Sequence, residues 1–74
     1  PLRVRLMPDD KKPALITHSG QEFNLVLEGK VKVLFEDKEL ILEEGDSIYF
    51  NPLHPHGQVC ADDKPAVFVT VIAE

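Results

Sequence analysis

Cysteine occurs once, at Cys60, so no disulfide can close within the chain, and a lone thiol fits a reducing, cytoplasmic compartment. Long apolar runs are missing too. None approaches the roughly 18 residues of a membrane span, and no secretory signal is visible, so a membrane partner is not expected. Basic charge is scarce: 8 Lys and Arg stand against 13 Asp and Glu, a net charge of −5. Phosphate binding needs clustered cations, and Arg3, Arg5, Lys11 and Lys12 make only a modest cluster, so this chain is not expected to bind nucleic acid directly. Helical periodicity, internal repeats, linkers and low-complexity segments are absent. What is present is an apolar fraction of 43% in 74 residues, enough for a folded core rather than disorder. Such a chain makes one small domain, residues 1–74, near the lower limit for burying its own core. Pro1 leaves open whether an initiator Met has been removed or the chain is a piece of something longer.

The residues read as strands and turns throughout. Leu2 to Met7 alternates apolar and charged side chains, the period of a half-buried strand. Pro8 to Pro13 is a turn, and Ala14-Leu15-Ile16-Thr17 a short strand leading to His18. Phe23 to Leu27 is rich in β-formers, and Glu28-Gly29-Lys30 is expected to turn it into a hairpin with Val31 to Phe35. Glu39 to Leu42, Ser47 to Phe50, His56 to Cys60 and Ala66 to Ile72 follow as further strands. Between them, Asn51 to Pro55 is an irregular loop whose prolines cannot donate to a ladder. Seven or eight short strands at close spacing indicate an all-β sandwich or barrel. Gly29 and Gly45 mark turns that need positive φ, and Asp46 serves the second of them by local hydrogen bonding.

The chemistry gathers at the turns. His18 and Glu22 flank Ser19-Gly20-Gln21, so a turn folds both side chains toward one point. Imidazole and carboxylate suit first-row divalent metals, and two histidines with one carboxylate leave positions open for another ligand. A second histidine is available from His54-Pro55-His56, far along the chain. Histidines in polar loops are more often solvated surface residues, and spacing alone does not separate the two readings.

These segments resemble the two motifs of the cupin superfamily, small antiparallel β-barrels of the jelly-roll type. In the first motif a glycine precedes His-x-His, then three or four residues, Glu, six residues and Gly. His18, Glu22 and Gly29 match its second histidine, its glutamate and its closing glycine, within about residues 14–29. Gly45-Asp46 and His56 match the second motif, within about residues 45–60. Gly20-Gln21-Glu22-Phe23, Val26-Leu27-Glu28-Gly29 and Gly45 to Phe50 look most like the cupin modules attached to helix-turn-helix transcription regulators.

The resemblance implies a metal site of His18, Glu22 and His56 for one divalent ion, iron, manganese, nickel or zinc. The chain departs from the pattern at Ile16, where the first histidine would stand. An apolar side chain thus replaces a donor, and a decayed site would become an apolar small-molecule pocket. Ile16, Asn24 and His54 are the pocket candidates, His54 also as a substitute ligand because alternate residues of an extended segment point the same way. Asn24 and Val26 share the parity of Glu22 and face the interior, whereas Phe23, Leu25 and Leu27 face outward and need cover from another sheet or a second subunit; in so small a domain a homodimer is expected. Cys60 shares parity with His56 and Gln58 and reads as a buried inert thiol, while Tyr49 reads as packing. Two functions are compatible with these features. One is a sensor or regulatory module that binds a small molecule or metal; the alternative is a small metal-dependent oxygenase or isomerase.

Overall fold

Two antiparallel sheets face each other, and the chain passes repeatedly from one to the other. A computed structural model describes residues 1–74 and assigns seven strands and no helix. They are β1 (Leu2–Leu6), β2 (Gln21–Glu28), β3 (Val31–Phe35), β4 (Glu39–Leu42), β5 (Ser47–Phe50), β6 (His56–Cys60) and β7 (Ala66–Ala73). The first sheet runs β1-β7-β2-β5 and the second β4-β3-β6. No helix is long and apolar enough to cross a membrane. The strand spacing indicated an all-β sandwich or barrel and the resemblance implied the jelly-roll type, and the all-β jelly-roll barrel is the fold observed.

Period-2 alternation explains how each strand meets the interior. In β2, Glu22, Asn24 and Val26 are buried while Phe23, Leu25 and Leu27 are half-buried on the other side. Phe68 lies directly opposite both Val4 and Val26, and cross-strand partners present side chains to the same face, so these three pack together. Val31 and Val33 close the core from the second sheet, joined by Ala66, and Leu6, Leu42, Ile48 and Cys60 pack at its margin. Burial of each such valine or phenylalanine contributes roughly 1.5–3 kcal/mol. Leu34 faces the other side of its sheet, where the Pro13–Leu15 segment lies against the neighbouring Gly57.

Three expectations are corrected here. First, β2 and β3 do not form a hairpin: β2 pairs with β5 and β7, and β3 with β4 and β6. Each strand has its own inward face, and the Gly29 corner lets the chain change sheets so that the two faces oppose each other. Gly29 adopts φ 71°, and a Cβ there would lie 2.5 Å from the Pro65 carbonyl oxygen. Gly45, at φ 87°, turns Glu43–Asp46, where the Asp46 carboxylate accepts from the Glu43 amide at 2.8 Å.

Second, Ala14 to Thr17 is not a strand but contributes a single bridge, Ile16 to His56. Two residues on, the His18 amide donates to the Pro52 carbonyl at 3.1 Å, and Pro52 has no N–H to return. The ladder therefore cannot extend. Third, Tyr49 does not pack: it is 64% exposed on the outer face of edge strand β5, its hydroxyl donating to the Gln21 side-chain carbonyl.

Candidate metal centre

Three side chains from two distant parts of the chain, His18 with Glu22 and His56, converge in the barrel. β2 delivers Glu22 at its inward-facing second position, the turn before it delivers His18, and β6 opens with His56. The backbone fixes all three relative to one another. The Ile16–His56 bridge is closed by two hydrogen bonds of 3.0 Å, and the His18 amide is tied to Pro52. Glu22 and His56 are buried, with side chains 5% and 2% exposed, while His18 stands at the rim with 27%.

Glu22 Oε1 lies 2.8 Å from His18 Nε2 and 3.2 Å from His56 Nε2. In both histidines the other ring nitrogen is held by a backbone carbonyl: His18 Nδ1 donates to Ser19 at 3.0 Å, and His56 Nδ1 to His54 at 2.8 Å. An imidazole that donates through Nδ1 carries its lone pair on Nε2 when neutral. Two such lone pairs then face one anionic oxygen. That arrangement needs a cation between them, either protons on the rings or a metal ion.

Nitrogen and oxygen donors bound at about 2.1 Å to one ion lie about 3–4 Å apart. The three donor atoms here all lie within 4.8 Å of one another, so small movements would seat them on a common ion. The residues fit the group.

The electrostatics agree with the geometry. The bond to the Ser19 carbonyl does most to raise the His18 pKa above its ordinary 6.5; burial opposes it, and Glu22 adds to it. Burial is the largest single influence on Glu22 and pushes its carboxyl upward. Hydrogen bonds from Asn24 and His18 and the charges of His56 and His18 together outweigh it, holding the carboxyl below its ordinary 4.5. The ligand set is thus tuned toward an ionised carboxylate.

Around the donors the walls are polar on one side and aromatic on the other. Glu22 Oε2 accepts from Asn24 Nδ2 at 2.9 Å and from Gln58 Nε2 at 3.1 Å. Phe50 meets the His56 ring edge-on at 4.9 Å and Phe35 at 5.3 Å, and the His18 and His56 rings meet edge-on at 5.2 Å. No buried side-chain polar atom is left without a partner.

Of the residues singled out from sequence, His18, Glu22 and His56 come together, and Asn24 lies beside them on the same network. Ile16 shares a face with His56 through their bridge yet is 58% exposed, so it borders the site at its open side. His54 does not substitute as a ligand. The turn at Asn51–His54 breaks the extended geometry that equal parity requires, and only the His54 carbonyl serves the site, through His56 Nδ1. His54 instead lines a cleft of about 480 Å³ with Phe35, Leu40, Ile48 and Phe50, on the far side of the aromatic wall from the donors. Cys60 is half-buried at the core margin, where burial raises its thiol pKa. Gln58 and Thr70 were not singled out. The parity of Gln58 with His56 was a usable signal, whereas Thr70 becomes apparent only from its register opposite Asn24.

The cupin domain family model matches residues 2–72. No curated protein sequence matches the chain. Among solved structures, FeII HppE in complex with substrate superposes with a TM-score of 0.81 and 28% identity, over 95% of this chain and 42% of that one. A sugar phosphate isomerase of the cupin superfamily from Silicibacter pomeroyi gives 0.77 and 32%, over 97% and 48%. An HTH_3 family transcriptional regulator from Vibrio cholerae gives 0.76 and 27%, over 97% and 40%. The chain spans less than half the length of these three proteins.

Proposed function

Because the chain belongs to the cupin family, we propose that it is a metal-binding cupin module, residues 1–74, that senses a small molecule for a larger regulatory assembly. The observation that carries this reading is the pairing of two Nδ1-anchored histidines, both with Nε2 directed at Glu22 Oε1. His18, Glu22 and His56 would hold one divalent ion of the iron, manganese, nickel or zinc type. Bound there, the ion supplies Lewis acidity and open positions for a further ligand.

Two neutral imidazoles and one carboxylate leave a divalent ion with residual positive charge, which favours an anionic oxygen group on the incoming small molecule. Ile16 and Phe50 give that molecule apolar surface beside the donors. The Vibrio regulator supports the sensing role, and beyond the two histidines the side chains bonded to the carboxylate are amides, Asn24 and Gln58, rather than a further acid or base. Nucleic-acid contact would fall to another segment or partner, given the net charge of −5 on this one. The single half-buried thiol suits the cytoplasm.

Assembly as a homodimer is part of the proposal. The outer face of the first sheet presents Phe23, Leu25 and Leu27 half-covered beside Val69 and the more exposed Val71. A second copy would bury this face.

A second reading is a small metal-dependent oxygenase or isomerase, favoured by the three-donor arrangement and the likeness to substrate-bound FeII HppE. One experiment tests both. The protein purified without added metal or chelator should carry one divalent ion per chain, and the iron-loaded form should bind small organic anions without consuming oxygen. Metal-free protein that cannot be loaded contradicts both readings. Ligand-dependent oxygen uptake replaces the sensor with the oxygenase.

A further inference from the structure

Beneath the three donors lies a closed set of amide hydrogen bonds that the metal reading does not itself require. Asn24 Nδ2 donates to Glu22 Oε2 at 2.9 Å and to Thr70 Oγ1 at 3.0 Å, so both of its amide hydrogens have acceptors. Gln58 Nε2 donates to Asn24 Oδ1 at 2.8 Å and to Glu22 Oε2 at 3.1 Å, using both of its own. Reversing either amide would turn an oxygen toward the carboxylate, so the network has one orientation. Asn24 is 1% exposed, and burial makes each of these bonds costly to leave unmade.

The two carboxylate oxygens therefore have different partners. Oε2 accepts two amide N–H groups from strands in opposite sheets, β2 and β6, whereas Oε1 meets only the two histidines. Resting on the metal-centre reading above, we infer that Asn24 and Gln58 are positioning residues that occupy Glu22 Oε2 and leave Oε1 as the single carboxylate oxygen offered to the ion. A carboxylate held this way supplies one donor, so three protein groups take three positions. Cations that favour bidentate carboxylates, calcium above all, are disfavoured. Gln58 is the more informative residue, because it reaches the carboxylate from the other sheet and locks the two halves of the site together.

The test uses Co2+ as the probe, read by calorimetry and by its visible absorption, whose intensity and position report coordination number. Gln58→Met keeps the length of the side chain and removes both N–H donors. It should weaken Co2+ binding about 10–100-fold, the usual effect of removing an outer-shell hydrogen bond. It should also change the Co2+ spectrum, because Oε2, then held by Asn24 alone, is freer to turn toward the ion. Circular dichroism of the metal-free variant should match wild type. If Gln58→Met does not fold, Gln58→Asn, which keeps a neutral amide but is one methylene too short to reach Oε2, should give the same two changes. Wild-type affinity and an unchanged spectrum in the folded variant overturn the positioning role while leaving the metal centre intact. Wild-type protein that takes up no Co2+ overturns the metal centre and the positioning role together.

Discussion

Ile16 and His56 exchange both backbone hydrogen bonds, each 3.0 Å long, so their side chains emerge on the same face of the bridge. His56 is a buried donor of the cluster, whereas Ile16 is largely exposed at its open side. A donor at position 16 would thus start beside the ion with room to adjust. Ile16→His is expected to tighten binding of Zn2+ or Co2+ by at least about tenfold, near 1.4 kcal/mol. Competition against a chromophoric chelator measures it, and an affinity equal to wild type would mean that side chain 16 does not reach the site.

Protonation should act on the metal-free protein in a defined window. The His18 pKa is raised, so its stabilising contribution is full below about 6.5 and is lost as pH rises through the folded value. The Glu22 pKa is lowered, so its contribution is full above about 4.5 and is lost as pH falls through the folded value. With a chelator present, thermal stability should be greatest between these limits, and His18→Gln should flatten the alkaline side. A metal ion competes for the same nitrogen, so metal affinity should instead rise with pH through the histidine range. Thermal melts across pH, with and without metal, separate the two trends. Identical profiles in the two conditions would contradict them.

Gly29 supports the corner that separates β2 from β3. Alanine there meets both a φ of 71° and a carbonyl oxygen 2.5 Å from its Cβ, so Gly29→Ala should cost about 2 kcal/mol or more in urea denaturation. Gly45 has a similar φ of 87° but open space around it, and Gly45→Ala should cost less. Equal losses would mean that contact with the Pro65 backbone adds nothing.

The outer sheet face supplies the assembly prediction. Sedimentation at micromolar concentration should show a dimer, and Leu25→Glu, which adds a charge to the half-buried face of β2, should give monomers that remain folded. A wild-type monomer at that concentration contradicts the dimer.

Much of the site was legible because β-strand parity is rigid. Once Glu22 is inward, Asn24 and Val26 must be too, and their burial agrees. The turn spacing of His18 and Glu22 and the match of His56 to the second cupin motif identified the three donors that the fold brings together. Parity failed where the backbone is not extended: His54 and His56 are two apart, but the turn at Asn51–His54 separates their directions. The apparent β2–β3 hairpin failed for a different reason. A glycine turn between two β-rich runs looks the same whether the strands pair within a sheet or face each other across a core, and only long-range pairing with β5 and β7 distinguishes them. Thr70 was invisible in the same way, since its link to Asn24 spans 46 positions.

The central claim is that His18, Glu22 and His56 form one metal centre, and titration of wild type and His56→Ala with Zn2+ or Fe2+ under anaerobic conditions tests it most directly. Wild type should bind one ion per chain. His56→Ala should lose more than the roughly 10–100-fold that removal of an outer hydrogen bond costs, because a donor itself is gone. Equal affinity and stoichiometry in the two proteins would contradict the account, since the ion would then be held somewhere other than between these three side chains.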